Sequence, residues 1–216
     1  MPHLFTDRRG GVSLGDYESL NFGFHVGDDS VSVFANRKSL GPTQFMNQSH
    51  GDEVVHITNL VEVDPNCDAL ITTNPKISIA VMVADCIPLL LISKEAVAAV
   101  HVGRAGVLNR IAVKALMAMR NLGAIDVHAI LGPSICGKCY EVPFALQQTV
   151  IAEHPKAHAT THKGTPALDL PGALVAELVG QGITYEASTI CTLESQLHFS
   201  HRRNSPTGRF AGVVSV

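Results

Sequence analysis

The sequence carries little charge, and no run of like charges occurs in it. Charged residues make up 16% of the 216 residues, and the formal net charge is −3. This composition excludes an extended basic surface for nucleic acid or for an anionic membrane. The most apolar stretch, 77–92, is shorter than a membrane span and contains Asp85 and Pro88, so no transmembrane helix is expected.

The amino-terminal stretch lacks the apolar segment of a secretory signal. It reads MPHLFTDRRGG, with charges but no hydrophobic run behind them. We therefore expect a cytoplasmic protein. Its five cysteines are an odd number and fit reduced thiols in that compartment, with metal-binding or catalytic roles open.

Short apolar runs bounded by glycine, proline and polar residues predict the strands, and helical spacing predicts the helices. The predicted strands are 54–63, 67–73, 77–84, 87–92, 97–100, 127–131, 183–190 and 210–216. The predicted helices are 31–40, 107–122, 144–153 and 170–179, with Ser30 as the N-cap of the first. Because strands and helices alternate, we expect a single α/β or α+β domain that spans 1–216.

Three residues with metal-binding side chains lie where apolar runs stop. Cys86 follows the run 77–84, His101 ends the run that begins at Val97, and His50 precedes a glycine. Two imidazoles and a thiolate are good zinc ligands and leave a fourth position for water or substrate. The same set suits copper.

Two other interpretations of these residues stay open. Cys86 can be a small buried hydrophobic residue, with histidines that only bond to the backbone. Alternatively, Cys86 can be a nucleophile that His50 or His101 activates and Asp85 orients.

A Cys-x-x-Cys motif lies in a predicted loop at Cys136 and Cys139. Such a pair can bind zinc, take part in redox exchange, or do neither. A structural zinc site would need a second pair, and the sequence has none. The zinc-deaminase signature is also poorly met, because Ile135 stands where that signature has proline.

Several short motifs occur along the chain in a fixed order. They read TDRRGGVS, SLN, HVGD, NR, QSHG, DALIT, ADCIP, AVHVG, LGPSI and FSHRR. In this joint pattern the chain resembles the laccase-domain family. Members of that family have been called polyphenol oxidases, the peptidoglycan editing factor and purine nucleoside phosphorylases.

The resemblance implies a fold and a metal site. The fold is an α/β, single-domain layered sandwich of mixed β-sheet with flanking helices. The metal ligands would be His50, Cys86 and His101, and the ion would be zinc, with copper as the other candidate. The resemblance implies no oligomeric state.

The function that the resemblance implies is zinc-dependent purine nucleoside phosphorolysis. Adenosine, inosine or methylthioadenosine would react with phosphate to give the base and ribose 1-phosphate, and adenosine would also be deaminated. The partners are thus a small nucleoside and phosphate, which Arg8, Asn21 and Arg202 would hold from family motif positions. The alternatives are a copper-dependent polyphenol oxidoreductase, a Cys86-nucleophile hydrolase or editing factor for peptidoglycan precursors, and a binding protein without turnover.

The chain departs from the family after the second histidine. The usual turn there is Ala-Gly-Trp-Arg-Gly, whereas this chain has Val102-Gly103-Arg104-Ala105-Gly106 and no tryptophan at all. This turn therefore lacks two features of the family. It has no aromatic surface for a purine, and it has no guanidinium at the usual position. The resemblance therefore does not fix the substrate preference.

Overall fold

The structure, a computed structural model, describes residues 2–216. The strands are β1 (His3–Phe5), β2 (Thr43–Gln44), β3 (Val54–Ile57), β4 (Ala69–Thr72), β5 (Ser78–Val83), β6 (Ile87–Ile92), β7 (Val97–Val102), β8 (His128–Leu131), β9 (His158–Thr160), β10 (Pro166–Leu168), β11 (Thr184–Ala187) and β12 (Phe210–Val214). The helices are α1 (Ser30–Lys38), α2 (Arg104–Leu108), α3 (Ile111–Asn121), α4 (Phe144–Glu153) and α5 (Leu170–Gly180).

Two mixed sheets and a layer of helices form the body of the molecule. The larger sheet has the strand order β11-β8-β6-β7-β4-β3, and the smaller has the order β1-β12-β5-β2. One face of the larger sheet packs on the smaller sheet, and the other face is covered by helices, chiefly α3 and α5. This is the mixed α/β layering that the resemblance implies.

The strands β6 and β7 are buried on both faces, as their almost wholly apolar sequences predict. In β6, Leu89 and Leu91 pack in the core under the helices, whereas Leu90 packs between the two sheets. The antiparallel register pairs Pro88 with His101. The start of β6 therefore lies beside the end of β7, and the residues just outside both strands meet at one edge of the sheet.

The structure corrects three of the predicted elements. The helix predicted over 107–122 is two helices, α2 and α3, because Arg110 takes a left-handed conformation between them (φ 59°). The strand predicted over 54–63 ends at Ile57, and apolar residues beyond it are exposed. Asp29, not Ser30, caps α1, since its carboxylate accepts from the backbone N–H groups of Val31 and Ser32.

Among residues 2–216, no helix has both the length and the apolar character needed to span a membrane.

Candidate metal centre

His50, Cys86 and His101 converge at one edge of the larger sheet. Their ligand atoms all lie within 4.8 Å of one another, and Cys86 Sγ is 3.9 Å from His50 Nε2. The two imidazole rings meet edge to face, with centroids 4.7 Å apart. His101 is buried, Cys86 is half-buried and His50 is exposed, so the cluster opens toward solvent on one side.

The three ligands come from different elements. His101 lies in β7, and Cys86 lies just before β6. His50 lies in a loop, in a left-handed conformation (φ 60°) that is uncommon for residues other than glycine. Gln48 anchors that loop to β5 through two hydrogen bonds with the backbone of Met82, of 2.7 and 2.8 Å.

Asp68 connects the loop of His50 to His101. Its fully buried carboxylate accepts hydrogen bonds from the backbone N–H groups of Ser49, His50 and Gly51, at 2.7–3.1 Å. It also lies 2.7 Å from His101 Nδ1. Since Nδ1 is engaged in this way, Nε2 is the ring nitrogen left for a metal ion, which is how carboxylates orient metal-binding histidines.

The ionisation of Cys86 suits metal binding, whereas His101 is protonated at neutral pH and must release a proton to bind an ion. Burial would raise the pKa of the Cys86 thiol, but the charge and hydrogen bond of His101, with a smaller effect of His50, lower it to about 6. Burial would lower the pKa of His101, but Cys86 and Asp68 raise it to about 9. Burial would likewise raise the pKa of Asp68, but its hydrogen bonds lower it to about 2. Cys86 is therefore a thiolate at neutral pH, which is the form that binds metals.

Asp85 does not orient either histidine, contrary to the nucleophile hypothesis. Its carboxylate accepts hydrogen bonds from the Thr192 hydroxyl and from the backbone N–H of Arg202, both at 2.7 Å. Asp85 also has a positive φ of 91°, which turns the chain sharply before Cys86. The orienting carboxylate is Asp68, whose only signal in the sequence is an acidic residue at the start of a buried strand.

A cavity of about 390 Å³ lies over the cluster. Its wall carries the positively charged or titratable side chains His25, His201, Arg202 and Arg209. Tyr140 adds an aromatic ring, with the guanidinium of Arg202 4.9 Å from its centre. The cavity thus combines the candidate metal ligands with two arginines, the carboxylate of Asp85 and one aromatic ring.

Of the three residues expected to hold substrate, the structure places Arg202 in the cavity wall. Arg8 donates to the carbonyl of Glu18 and lies over the ring of Phe199. Asn21 is buried and binds its own loop, including the backbone of Gly23. Neither lines the cavity. Sequence reasoning did not select His25, Arg209 or Tyr140.

The aromatic surface missing from the turn after His101 has a substitute elsewhere. Arg104 begins α2 and does not line the cavity. Tyr140, from the loop after β8, lines it instead. An aromatic ring therefore faces the cluster even though the chain has no tryptophan.

The residues present fit a metal ion with three protein ligands. Two imidazoles and a thiolate are a zinc-type donor set, and the open side faces the cavity. Neighbouring ligands of a tetrahedral zinc ion lie about 3.5 Å apart, given metal–ligand bonds of 2.0–2.3 Å. Small side-chain rotations would bring the three donors to that spacing.

We expect Gly103→Ala to weaken metal binding at this cluster. A Cβ at position 103 would lie 3.0 Å from Cys86 Sγ and 3.1 Å from a carbon of the His50 ring, so both ligands must shift. Metal affinity should fall about tenfold or more, as when the groups that orient metal ligands are lost. Competition with a chelator measures it, and Gly180→Ala, where a Cβ meets nothing within 4 Å, is the matched control. If the two variants bound metal with equal affinity, the close contact of position 103 with Cys86 and His50 would be contradicted.

Comparisons with known proteins cover nearly the whole chain. A family model described as "Multi-copper polyphenol oxidoreductase laccase" matches residues 2–216. A Mycobacterium tuberculosis protein named purine nucleoside phosphorylase is 40% identical, over 97% of this chain and 89% of the relative. A Streptomyces coelicolor protein with the same name is 43% identical, over 97% of this chain and 93% of the relative.

Solved structures share the fold. A Neisseria meningitidis protein of the family model DUF152 superposes with a TM-score of 0.90 at 32% identity, covering 99% of this chain and 93% of that one. YlmD from Geobacillus stearothermophilus superposes with a TM-score of 0.87 at 28% identity, covering 99% and 91%. The sequence relatives and the solved structures therefore match the same part of this chain, which is nearly all of it.

Proposed function

The chain belongs to the laccase-domain family, and on this premise we propose that it is a zinc-dependent purine nucleoside phosphorylase. The reaction is attack of phosphate on a purine nucleoside, which gives the free base and ribose 1-phosphate. Adenosine, inosine and methylthioadenosine are the proposed substrates, and deamination of adenosine is the proposed second activity. The observation that carries the proposal is the two-histidine, one-cysteine cluster on the floor of a cavity with arginines in its wall.

His50, Cys86 and His101 would hold the zinc ion. When bound there, zinc supplies Lewis-acid chemistry, which stabilises negative charge that develops on oxygen or activates a water molecule. Asp68 holds His101 through Nδ1, so that Nε2 would be free to bind the ion.

The cavity walls fit the two halves of the substrate pair. Arg202 and Arg209 present guanidinium groups, whose planar fork suits phosphate. Tyr140 presents an aromatic surface against which a purine can stack. Arg202 lies over the Tyr140 ring, so the phosphate and the base would bind as close neighbours in the cavity.

A product analysis tests the proposal. Zinc-loaded protein is incubated with each nucleoside, with and without phosphate, and the base, ribose 1-phosphate and deaminated nucleoside are quantified. We expect base and ribose 1-phosphate in equal amounts, and only when phosphate is present. Free ribose in place of ribose 1-phosphate would identify a hydrolase, and no turnover of any nucleoside would reject the proposal.

We expect Arg202→Gln to raise the KM for phosphate more than the KM for the nucleoside. Losing a hydrogen bond to a charged group costs about 1.5–3 kcal/mol, which corresponds to roughly 10- to 150-fold. Arg202 is exposed, so the variant should fold normally. Steady-state kinetics at varied phosphate measure the effect, with the exposed Arg120→Gln in α3 as control. An unchanged KM for phosphate would remove Arg202 from the binding site.

The low pKa of Cys86, about 6, also supports a second candidate, a thiolate nucleophile in a hydrolase or editing factor. The two functions predict opposite effects of removing the metal on activity. A phosphorylase of the proposed kind loses activity when zinc is removed, whereas a cysteine hydrolase gains a free nucleophile. Turnover of a peptidoglycan precursor by metal-free protein, abolished by alkylation of Cys86, would favour the hydrolase.

The description of the matching family names a multi-copper oxidoreductase, so copper oxidase activity should also be tested. A multicopper oxidase needs several histidine-rich copper sites. Within residues 2–216, His50 and His101 belong to the one ligand cluster that contains histidine. We therefore expect copper-loaded protein to consume no oxygen with phenolic substrates, and oxygen uptake in an electrode assay would revive the oxidase.

A further inference from the structure

A second group of metal-binding side chains lies apart from the first. It comprises Cys136, Cys139, Cys191 and Glu194, whose ligand atoms all lie within 4.8 Å of one another. Cys136 and Cys139 follow β8, and Cys191 and Glu194 follow β11. Because β8 and β11 are parallel neighbours, the loops that follow them leave the same edge of the sheet and meet there. Because the two pairs are far apart in the sequence, spacing along the chain does not predict that they lie together.

Local turns direct the four side chains to one point. Within the Cys-x-x-Cys loop, the N–H of Cys139 donates to the carbonyl of Cys136 (3.0 Å). Within the other loop, the N–H of Glu194 donates to the carbonyl of Cys191 (3.2 Å). Between the loops, the N–H of Cys136 donates to Cys191 Sγ (3.4 Å), and Cys139 Sγ donates to Glu194 Oε1 (3.4 Å).

We propose that these four residues bind a second zinc ion, in a closed site of structural type. Three thiolates and one carboxylate supply the four ligands that tetrahedral zinc takes, and they leave no open position for substrate. All three cysteines are free thiols, so their sulfurs are available as ligands. The Cys-x-x-Cys motif thus obtains its second pair of ligands, Cys191 and Glu194, from a distant loop.

Two residues with basic side chains lie near such a site, whose ligands carry an excess of negative charge. Three thiolates and a carboxylate around Zn²⁺ carry a net charge of about −2. His162 Nε2 lies 3.8 Å from Glu194 Oε1, and Lys138 lies within the Cys-x-x-Cys turn. Cys191 is buried and Glu194 is exposed, so an ion can enter from the solvent side and be held against the protein interior.

The second ion would brace the wall of the first site without touching substrate. The loop of Cys191 also carries Thr192, whose hydroxyl holds Asp85 next to Cys86. The loop of Cys136 carries Tyr140, whose N–H donates to the Cys136 carbonyl and whose ring faces the cavity. Crosslinking the two loops would therefore fix both of these contacts.

Metal analysis of matched variants tests the proposal. Wild-type protein should contain about two zinc ions per chain, and Cys86→Ser and Cys139→Ser should each contain about one. Cys67→Ala, which removes a buried cysteine outside both clusters, should keep both ions. If Cys139→Ser keeps the same zinc content as the wild type, or if mass spectrometry finds a disulfide among Cys136, Cys139 and Cys191 in the native protein, the proposal is overturned.

Cobalt spectroscopy keeps the test valid if Cys139→Ser folds poorly. Cys86→Ser protein, stripped of metal and titrated with Co²⁺, should show sulfur-to-cobalt absorption that only the second cluster can supply. Adding Glu194→Gln, an exposed substitution, should weaken that binding about tenfold or more while the fold stays intact by circular dichroism. Absence of the sulfur-to-cobalt band in Cys86→Ser would overturn the second site, whereas loss of phosphorolysis alone would bear only on the first.

Discussion

Replacing Cys86 with serine should remove the first metal ion and lower kcat/KM for phosphorolysis by at least about 100-fold, a loss of about 2.7 kcal/mol of transition-state stabilisation. Cys86 supplies the one thiolate among the three ligands, and a serine hydroxyl is not deprotonated at neutral pH. The side chain keeps nearly the same size, so packing around it changes little. Zinc content and steady-state kinetics, measured on the same preparation, report the two effects.

The control for this variant is Cys67→Ala. Cys67 is buried, and burial raises the pKa of its thiol to about 12, so it stays protonated and inert. We expect this variant to keep its zinc and its kcat/KM within about threefold, since it acts only on packing. If Cys86→Ser retained wild-type activity, Cys86 would have no place in the mechanism.

Asp68→Asn should destabilise the metal-free protein by about 3–5 kcal/mol at pH 7, the usual cost of breaking a buried charge pair. The Asp68 carboxylate accepts hydrogen bonds from His101 Nδ1 and from the backbone N–H groups of the His50 loop. In asparagine, an NH₂ group replaces one carboxylate oxygen, so a donor would face some of these donors. Metal affinity should fall about 10- to 100-fold, because the orientation of His101 is lost. Urea unfolding and chelator competition measure these two quantities.

The stability difference should depend on pH in a defined direction. The pKa of Asp68 falls from its ordinary value of 3.8 to about 2 in the folded protein. A carboxyl group with a lowered pKa contributes stability above its unfolded pKa and loses it as the pH falls through the folded one. The gap between wild type and Asp68→Asn should thus be largest above about pH 5 and narrow, without closing, as the pH approaches 2. Asp126→Asn, an exposed substitution, should change stability by at most about 0.5 kcal/mol at any pH. A gap that widens toward acid would contradict the assignment.

The sequence is enough to predict the central strands, whereas the grouping of the three residues of the first cluster rests on the family resemblance. The strand predicted over 87–92 is β6 as observed, because a short unbroken apolar run is typical of a strand covered on both faces. The meeting of His50, Cys86 and His101 followed from the family resemblance, and the structure brings their ligand atoms together.

Other features depend on contacts that local sequence does not encode. Asp68 reaches His101 because β4 and β7 are antiparallel neighbours, with Ala69 paired with Val100. Cys191 reaches Cys136 because β8 and β11 are parallel neighbours. Neither pairing can be read from spacing along the chain, so the orienting carboxylate was missed and the Cys-x-x-Cys motif was left without partners.

The break between α2 and α3 shows a different limit. Residues 107–122 have helical spacing throughout, yet Arg110 takes a left-handed conformation that side chains usually avoid. Its guanidinium binds Glu177 in α5 at 2.8 Å, and α2 and α3 both contact that helix. Packing against a distant helix thus overrides the local helical preference.

The most direct test of the central claim is a zinc titration of metal-free Cys139→Ser protein, with phosphorolysis of inosine measured at each step. This variant lacks a ligand of the second cluster, so the ion that restores activity must bind at His50, Cys86 and His101. The account predicts that activity rises in proportion to added zinc and levels off at about one equivalent per chain. Full activity before any zinc is added, or none at saturation in a folded protein, would contradict it.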